Sequence, residues 1–358
     1  MQWLLLILTI PYIYILLKIY RNLSKITPFL PLKASEQFVS VIVACRNEEN
    51  NLSLLLNDLA SQDYNPELFE VLIVDDNSAD GTFNLASGFK GIRNLKVLGN
   101  IGSGKKKAIR AGVAGSTGTL IITSDADCRM GKSWISTIAA FYEENKADLV
   151  ICPVKLETGT GFLRGFQELE YLSLQGVTAG TAASGNPVMC NGANMAFTKE
   201  AFNRNSGNLH EEIPSGDDVF LLHSIKREPG NKIMWLESLE AMVSTNSQKT
   251  IGSFIKQRVR WISKAGAYKD RFTRLLAIVT IVTILLQWFL VIAGIFDQVF
   301  LLLLLVAFVL KSVPDYLILK NTTVRYGKKS LMQLFIPSQI LYPVYVMSVY
   351  ISYMIKNK

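Results

Sequence analysis

Residues 121–127 read Ile-Ile-Thr-Ser-Asp-Ala-Asp, an apolar run that stops at two carboxylates one residue apart. Side chains on an extended chain alternate faces, so Asp125 and Asp127 point the same way and can converge on one point beyond the strand tip. Like charges so placed repel, and a divalent cation bound by oxygen ligands is the chemistry that accommodates them. A turn or a helix cap is the other use of an Asp after a strand.

The same pattern recurs. The run 38–44 is followed by Arg46-Asn47-Glu48-Glu49, and the run 70–74 by Asp75-Asp76-Asn77. These runs, with 95–98, 119–123 and 149–152, are short and rich in Val and Ile, as strands buried on both faces are. Helical patterns separate them, such as 49–61 with Leu52, Leu55, Leu56 and Leu59 on one side. Alternating strands and helices predict an α/β domain with a mostly parallel sheet, whose ligands lie beyond the carboxyl ends of the strands. Asn47, Glu48, Asp75, Asp76, Asp125 and Asp127 then share one polar cleft.

Three further groups belong with it. Residues 102–112 place Lys105, Lys106 and Lys107 at a helix start after glycines, where backbone N–H groups and cations can meet an anion. The spacing is not that of a P-loop, and three lysines on a helix also read as a solvated face. Asp217 and Asp218 open another helix, where the dipole favours acids. Gln257, Arg260 and Trp261 follow near the end of the polar part of the chain.

The elements that must carry these residues divide sharply by composition. The chain has 358 residues, 49% of them hydrophobic, a balance too apolar for an ordinary soluble enzyme. The excess is concentrated in 1–17, 275–296, 299–310 and most of 331–355, stretches of membrane-span character. The pattern predicts an N-terminal anchor over 1–20, a polar catalytic domain over 36–265 and a membrane region over 273–356, with one N-terminal and about three C-terminal spans. Lys18, Arg21 and Lys25 follow the first stretch and no basic residue precedes it, which reads as a retained anchor and not a cleaved signal. By the positive-inside rule, Lys264, Lys269, Arg271 and Arg274 place the polar domain in the cytosol of an integral protein of the cell (plasma or inner) membrane.

The net charge of +8 lies around membrane edges and loops, which suits anionic lipid headgroups and a polyanionic substrate better than nucleic acid. The four cysteines, Cys45, Cys128, Cys152 and Cys190, have no metal-site spacing and read as small buried residues.

With these residues in place, 38–262 resembles the family 2 glycosyltransferases, in particular the membrane-embedded branch that includes cellulose, hyaluronan and poly-N-acetylglucosamine synthases. The resemblance rests on Ala-Cys-Arg-Asn-Glu-Glu after the first strand, Val-Asp-Asp-Asn-Ser-Ala-Asp-Gly-Thr after the second, Gly-Lys-Lys-Lys-Ala-Ile, Asp125-Ala126-Asp127, Gly216-Asp217-Asp218, and the Gln257, Arg260, Trp261 spacing, in that order. It implies a GT-A fold that binds a nucleotide diphosphate sugar, UDP-linked, and transfers the sugar with inversion to a lipid or glycan acceptor. Asp75 or Asp76 would hold the nucleobase or ribose and Lys105 would lie near the nucleotide, with Asn47 and Glu48 in the same cleft. Asp125 would support the nucleotide and Asp127 would bind Mg²⁺ or Mn²⁺ on the diphosphate. Asp218 would be the general base, supported by Asp217, and Gln257, Arg260 and Trp261 would close over diphosphate and acceptor. Asp217 stands where that family usually has Glu, and the few spans put a self-contained polymer channel in question. A processive synthase, whose path a homo-oligomer could enclose, and an inactive sugar-nucleotide-binding scaffold are the competing readings.

Overall fold

The structure is a computed structural model describing residues 2–157 and 159–356. By contacts the chain divides into two compact units, one of Thr27–Glu157 with Met189–Asn246, the other of Met1–Ile26, Thr158–Val188 and Ser247–Lys358.

The first unit holds ten strands: β1 (Val39–Cys45), β2 (Phe69–Asp75), β3 (Leu95–Gly99), β4 (Leu120–Asp125), β5 (Arg129–Met130), β6 (Leu149–Ile151), β7 (Val154–Leu156), β8 (Asn194–Thr198), β9 (Ile233–Trp235) and β10 (Val243–Thr245). Seven form one sheet in the order β3-β2-β1-β4-β8-β6-β9, and β5-β10-β7 form a small second sheet. In the large sheet only β8 runs against its neighbours β4 and β6. This is the GT-A-like α/β architecture; β1, β2, β3, β4 and β6 lie at the predicted apolar runs, whereas the other five strands fall outside them. β2 is buried along its whole length and β1 nearly so, as Val- and Ile-rich strands covered on both faces must be. Helix Lys105–Gly115 packs so closely on them that a Cβ at Gly112 would lie 2.5 Å from Ile42 Cγ2.

Register sets the site. Cys45 pairs with Asp75, and Ala44 pairs with both Val74 and Asp125, so β1, β2 and β4 end level. At the other end of the same sheet Glu70 is buried, bonded by Ser40 Oγ at 2.7 Å, Lys96 Nζ at 2.6 Å and Thr117 N at 2.5 Å. Burial alone would raise this carboxyl, but the bonds from Lys96, Thr117 and Ser40 outweigh it and lower it to about 2.

The second unit holds helices Phe162–Ala183 and Ile251–Ile262, which the sequence pattern placed within 36–265, together with, among the described residues, four helical segments long and apolar enough to cross a membrane: Gln2–Leu23, Arg271–Ala293, Val299–Arg325 and Lys329–Lys356. The predicted third stretch stopped at Lys311, yet the helix runs on through Pro314 to Arg325. The charge is tolerated because it faces inward. Lys311 Nζ bonds Asp315 at 2.5 Å and Gln339 at 2.8 Å, and Asp315 accepts the Tyr12 hydroxyl at 2.6 Å. Small residues let this bundle pack: a Cβ at Gly180 would lie 2.6 Å from the Ile19 carbonyl oxygen.

Candidate active site

The two acids after β2 do different work. Asp76 accepts Asn100 Nδ2 at 2.6 Å and the Gly104 N–H at 2.8 Å, which fixes the loop 100–104. Gly104 sits at φ +100°, a conformation open to glycine, and helix Lys105–Gly115 begins directly after it. Asp75 accepts the Ser78 N–H at 3.1 Å through Oδ2, while its Oδ1 is buried without a hydrogen-bond partner among the described residues. A buried acceptor left so costs about 1–3 kcal/mol, and a ligand donor would recover it.

Asn47 and Glu48 stitch the β1 end to the β2 end. Asn47 holds φ +56°, donates its N–H to Ser78 Oγ at 2.9 Å and accepts the Ala79 N–H at 2.8 Å. Glu48 donates its N–H to Thr82 Oγ1 at 2.8 Å, and its carboxylate accepts Asn51 Nδ2 at 2.8 Å. Burial raises the Glu48 carboxyl and the charges of Asp127, Asp125 and Asp80 add to this, against the Asn51 bond. The strand-end acids thus share one electrostatic field.

Asp125 is the last residue of β4, but residues 126–127 turn and Cys128 N–H bonds back to the Asp125 carbonyl at 3.1 Å. The predicted extended-chain alternation therefore does not orient Asp127. The second sheet does this instead, because Thr245 Oγ1 at the end of β10 donates to Asp127 Oδ2 at 3.0 Å. Burial raises the Asp127 carboxyl and Asp125 raises it further, while the Thr245 bond and the charge of Lys105 oppose. Among the described residues no three His, Cys, Asp or Glu side chains cluster as metal ligands.

Lys105 joins the separate parts. Its ammonium pairs with Asp125 and lies 3.9 Å from Asp217 Oδ2. Burial works against its charge, but Asp125 and Asp217, with Asp218, outweigh it and hold the ammonium well above the ordinary lysine range. Asp217 and Asp218 open helix Asp217–Arg227 after Gly216 at φ +90°. Asp218 Oδ2 accepts the Gly192 N–H at 3.1 Å, and its Oδ1 accepts the Val219 N–H at 2.7 Å. A Cβ at Gly192 would lie 3.2 Å from Asp217 Oδ2 and 3.4 Å from Lys105 Nζ, so glycine lets the backbone reach these groups. Asn194 fixes that segment through Trp134 Nε1 at 3.0 Å and the carbonyls of Pro153 and Ala241 at 2.7 and 2.8 Å.

Gln257, Arg260 and Trp261 lie in the other unit, on helix Ile251–Ile262. There the buried arginine is Arg258, which the sequence pattern passed over. It pairs with Glu170 at 2.5 Å, donates to Gln257 Oε1 at 2.5 Å and places its guanidinium 4.0 Å from the Trp261 ring. Arg260 is exposed. The signal was available, since Arg258 stands three residues before Trp261 and four after Phe254, the spacings that meet on a helix face. Cys45, Cys128 and Cys152 are buried as expected, whereas Cys190 is only half-buried. Asn100, Asn194 and Thr245 carried no chemical signal of their own in the sequence.

Residues 40–205 match the sequence profile described as Glycosyl transferase family 2. The poly(ribitol-phosphate) beta-N-acetylglucosaminyltransferase TarS of Staphylococcus aureus is 33% identical over 124 residues, which cover 34% of this chain and 22% of TarS. The undecaprenyl-phosphate 4-deoxy-4-formamido-L-arabinose transferase of Edwardsiella ictaluri is 39% identical over 95 residues, covering 25% of this chain and 29% of that protein. Both matches thus span under a third of the relative's length. The mannosyltransferase PcManGT from Pyrobaculum calidifontis, solved in complex with GDP-Man and Mn²⁺, shares the fold over 99% of this chain and all of its own, with a TM-score of 0.61 at 17% identity.

Proposed function

We propose that this protein transfers a sugar from a nucleotide diphosphate sugar to a lipid-linked or growing glycan acceptor, with inversion and with a divalent cation. The observation that carries the reading is the gathering of Asp125, Asp217 and Lys105 at one end of the sheet, with Asp218 beside Asp217. In support, family 2 relatives include the undecaprenyl-phosphate transferase, and the fold neighbour holds GDP-Man and Mn²⁺.

Asp127 suits Mg²⁺ or Mn²⁺. Its carboxyl is raised by burial and by the neighbouring Asp125, and a cation beside a diphosphate would need only one or two protein carboxylates. The cation would supply charge neutralisation to the departing diphosphate. Asp75, with its unpartnered Oδ1, is the better candidate of the two acids for the nucleobase or ribose, since Asp76 is engaged by Asn100 and Gly104. Lys105 orients Asp125 and Asp217. Asp218 accepts the proton of the acceptor hydroxyl as that oxygen attacks the anomeric carbon from the face opposite the leaving group. Gln257, Arg260 and Trp261 act on the diphosphate and acceptor, as the resemblance implies.

The domain limits we adopt are 1–20 for an anchor, 36–265 for the catalytic part and 273–356 for a membrane region, with catalysis on the cytosolic side of the cell (plasma or inner) membrane. A short transfer to a membrane-held acceptor is favoured over polymer extrusion. A polar chain crossing a bilayer needs a polar route walled by protein, and four of the buried polar groups of the bundle, Lys311, Asp315, Tyr12 and Gln339, are bonded to one another. The test is to incubate membranes containing the protein with labelled UDP- and GDP-sugars, with and without Mn²⁺, and to separate lipid-extractable from polymeric product. Metal-dependent label in short lipid-linked product supports the reading. Product that needs no metal, or a long glycan ladder, contradicts it.

A further inference from the structure

Lys106 is buried, and its ammonium is held by backbone carbonyls. Nζ donates to the His210 carbonyl at 2.7 Å and the Ile213 carbonyl at 2.8 Å, and lies 4.7 Å from the centre of the Phe220 ring. An ammonium taken out of water is costly unless fully engaged, and an apolar side chain would pack there at lower cost. What the lysine adds is a hold on one segment. Residues 206–216 contain only a short 3₁₀ turn, Ser206–Asn208, before helix Asp217–Arg227. The segment turns at His210, φ +54°, and at Gly216, φ +90°. It ends at Asp217 and Asp218.

One helical turn along, Arg110 holds the same segment, with its guanidinium on the Ser206 carbonyl at 2.7 Å and Glu211 at 2.6 Å. The residue before Lys106 is Lys105, which pairs with Asp125 and approaches Asp217. Helix Lys105–Gly115 thus grips the acids by one lysine and the backbone that delivers them by the next. We propose that Lys106 is a positioning residue for the transfer step, fixing segment 206–216 so that Asp218 is held in reach of the acceptor hydroxyl. The proposal rests on the assignment of Asp218 as the base. Misplacement of a catalytic group by about 1 Å can cost about 100-fold in rate while leaving remote binding intact.

The full-length chain in detergent is compared as wild type, Lys106→Met, Lys106→Arg and Asp218→Asn. Nucleotide affinity is read by titrating UDP and GDP with Mn²⁺, turnover by nucleoside diphosphate release from UDP- and GDP-sugars, and the segment by hydrogen exchange over 206–216. Lys106→Met is expected to keep nucleotide affinity within about threefold and to lose about 10- to 100-fold in kcat, with faster exchange over 206–216. Lys106→Arg, which can donate to both carbonyls, recovers most of the rate. A loss of affinity as large as the loss of kcat overturns the proposal, and so does an unchanged kcat despite faster exchange. If Lys106→Met does not fold, Lys106→Gln takes its place under the same criteria. Full turnover in Asp218→Asn removes the base assignment beneath the proposal, whereas an inactive Asp218→Asn beside a fully active Lys106→Met removes the Lys106 role alone.

Discussion

The ammonium of Lys105, the first residue of one helix, lies 3.9 Å from Oδ2 of Asp217, the first residue of another, while it also pairs with Asp125 at the end of β4. A single cation therefore holds together acids delivered by a strand and a helix far apart in sequence.

Replacing that cation leaves the acids facing one another. Lys105→Met is expected to lower both nucleotide affinity and turnover, by about 10- to 100-fold, since a hydrogen bond to a charged group is worth about 1.5–3 kcal/mol. Titration of UDP and GDP into the purified variant checks this. Wild-type affinity and rate together would mean that the pairing is incidental.

Asp127 carries the cation in this account, so Asp127→Asn should abolish transfer and weaken Mn²⁺-dependent nucleotide binding, and a chelator should do the same to the wild type. The pH dependence has a definite sign. The folded carboxyl is raised by burial and then by Asp125, so protonation, and loss of the cation, sets in above the ordinary Asp value of about 3.9 as pH falls. The acid limb of Mn²⁺ affinity in the wild type reports it. A limb below about pH 4 would contradict the placement of Asp127.

Much of this was legible in the sequence. β1, β2 and β4 are Val- and Ile-rich runs buried on both faces, a composition few other structures produce, and the acids that interrupt them mark the carboxyl ends. Other features depended on long-range partners. Asp127 is aimed by Thr245, whose strand is short and carries no pattern of its own. The division of labour between Asp75 and Asp76 depends on Asn100 and on the φ of Gly104. Lys106 and Lys107 look alike in sequence, and only tertiary packing buries the first. The apolar run ending at Lys311 looked too short because hydropathy counts a charge as exposed, whereas Asp315 and Gln339 satisfy it inside the bundle.

Glu70 gives a prediction about stability. Its folded value of about 2 lies below the ordinary Glu value of about 4.3, so the bonded carboxylate stabilises the fold fully above about pH 4.3 and the gain is lost as pH falls toward about 2. The difference corresponds to stabilisation on the order of 3 kcal/mol. Glu70→Gln should therefore unfold more readily than wild type at neutral pH in detergent, and the two should converge in acid. A gap independent of pH would show that the Lys96, Thr117 and Ser40 bonds matter through shape and not through charge.

The assignment of Asp218 as the base is tested most directly by one paired measurement on Asp218→Asn: turnover of a labelled sugar nucleotide into lipid-extractable product, and affinity for UDP or GDP with Mn²⁺, in the same preparation. A base acts on the acceptor and not on the donor, so turnover should fall by about 10²–10⁴ while nucleotide affinity stays at the wild-type value. Wild-type turnover in Asp218→Asn, or nucleotide affinity lost in step with rate, would contradict the account.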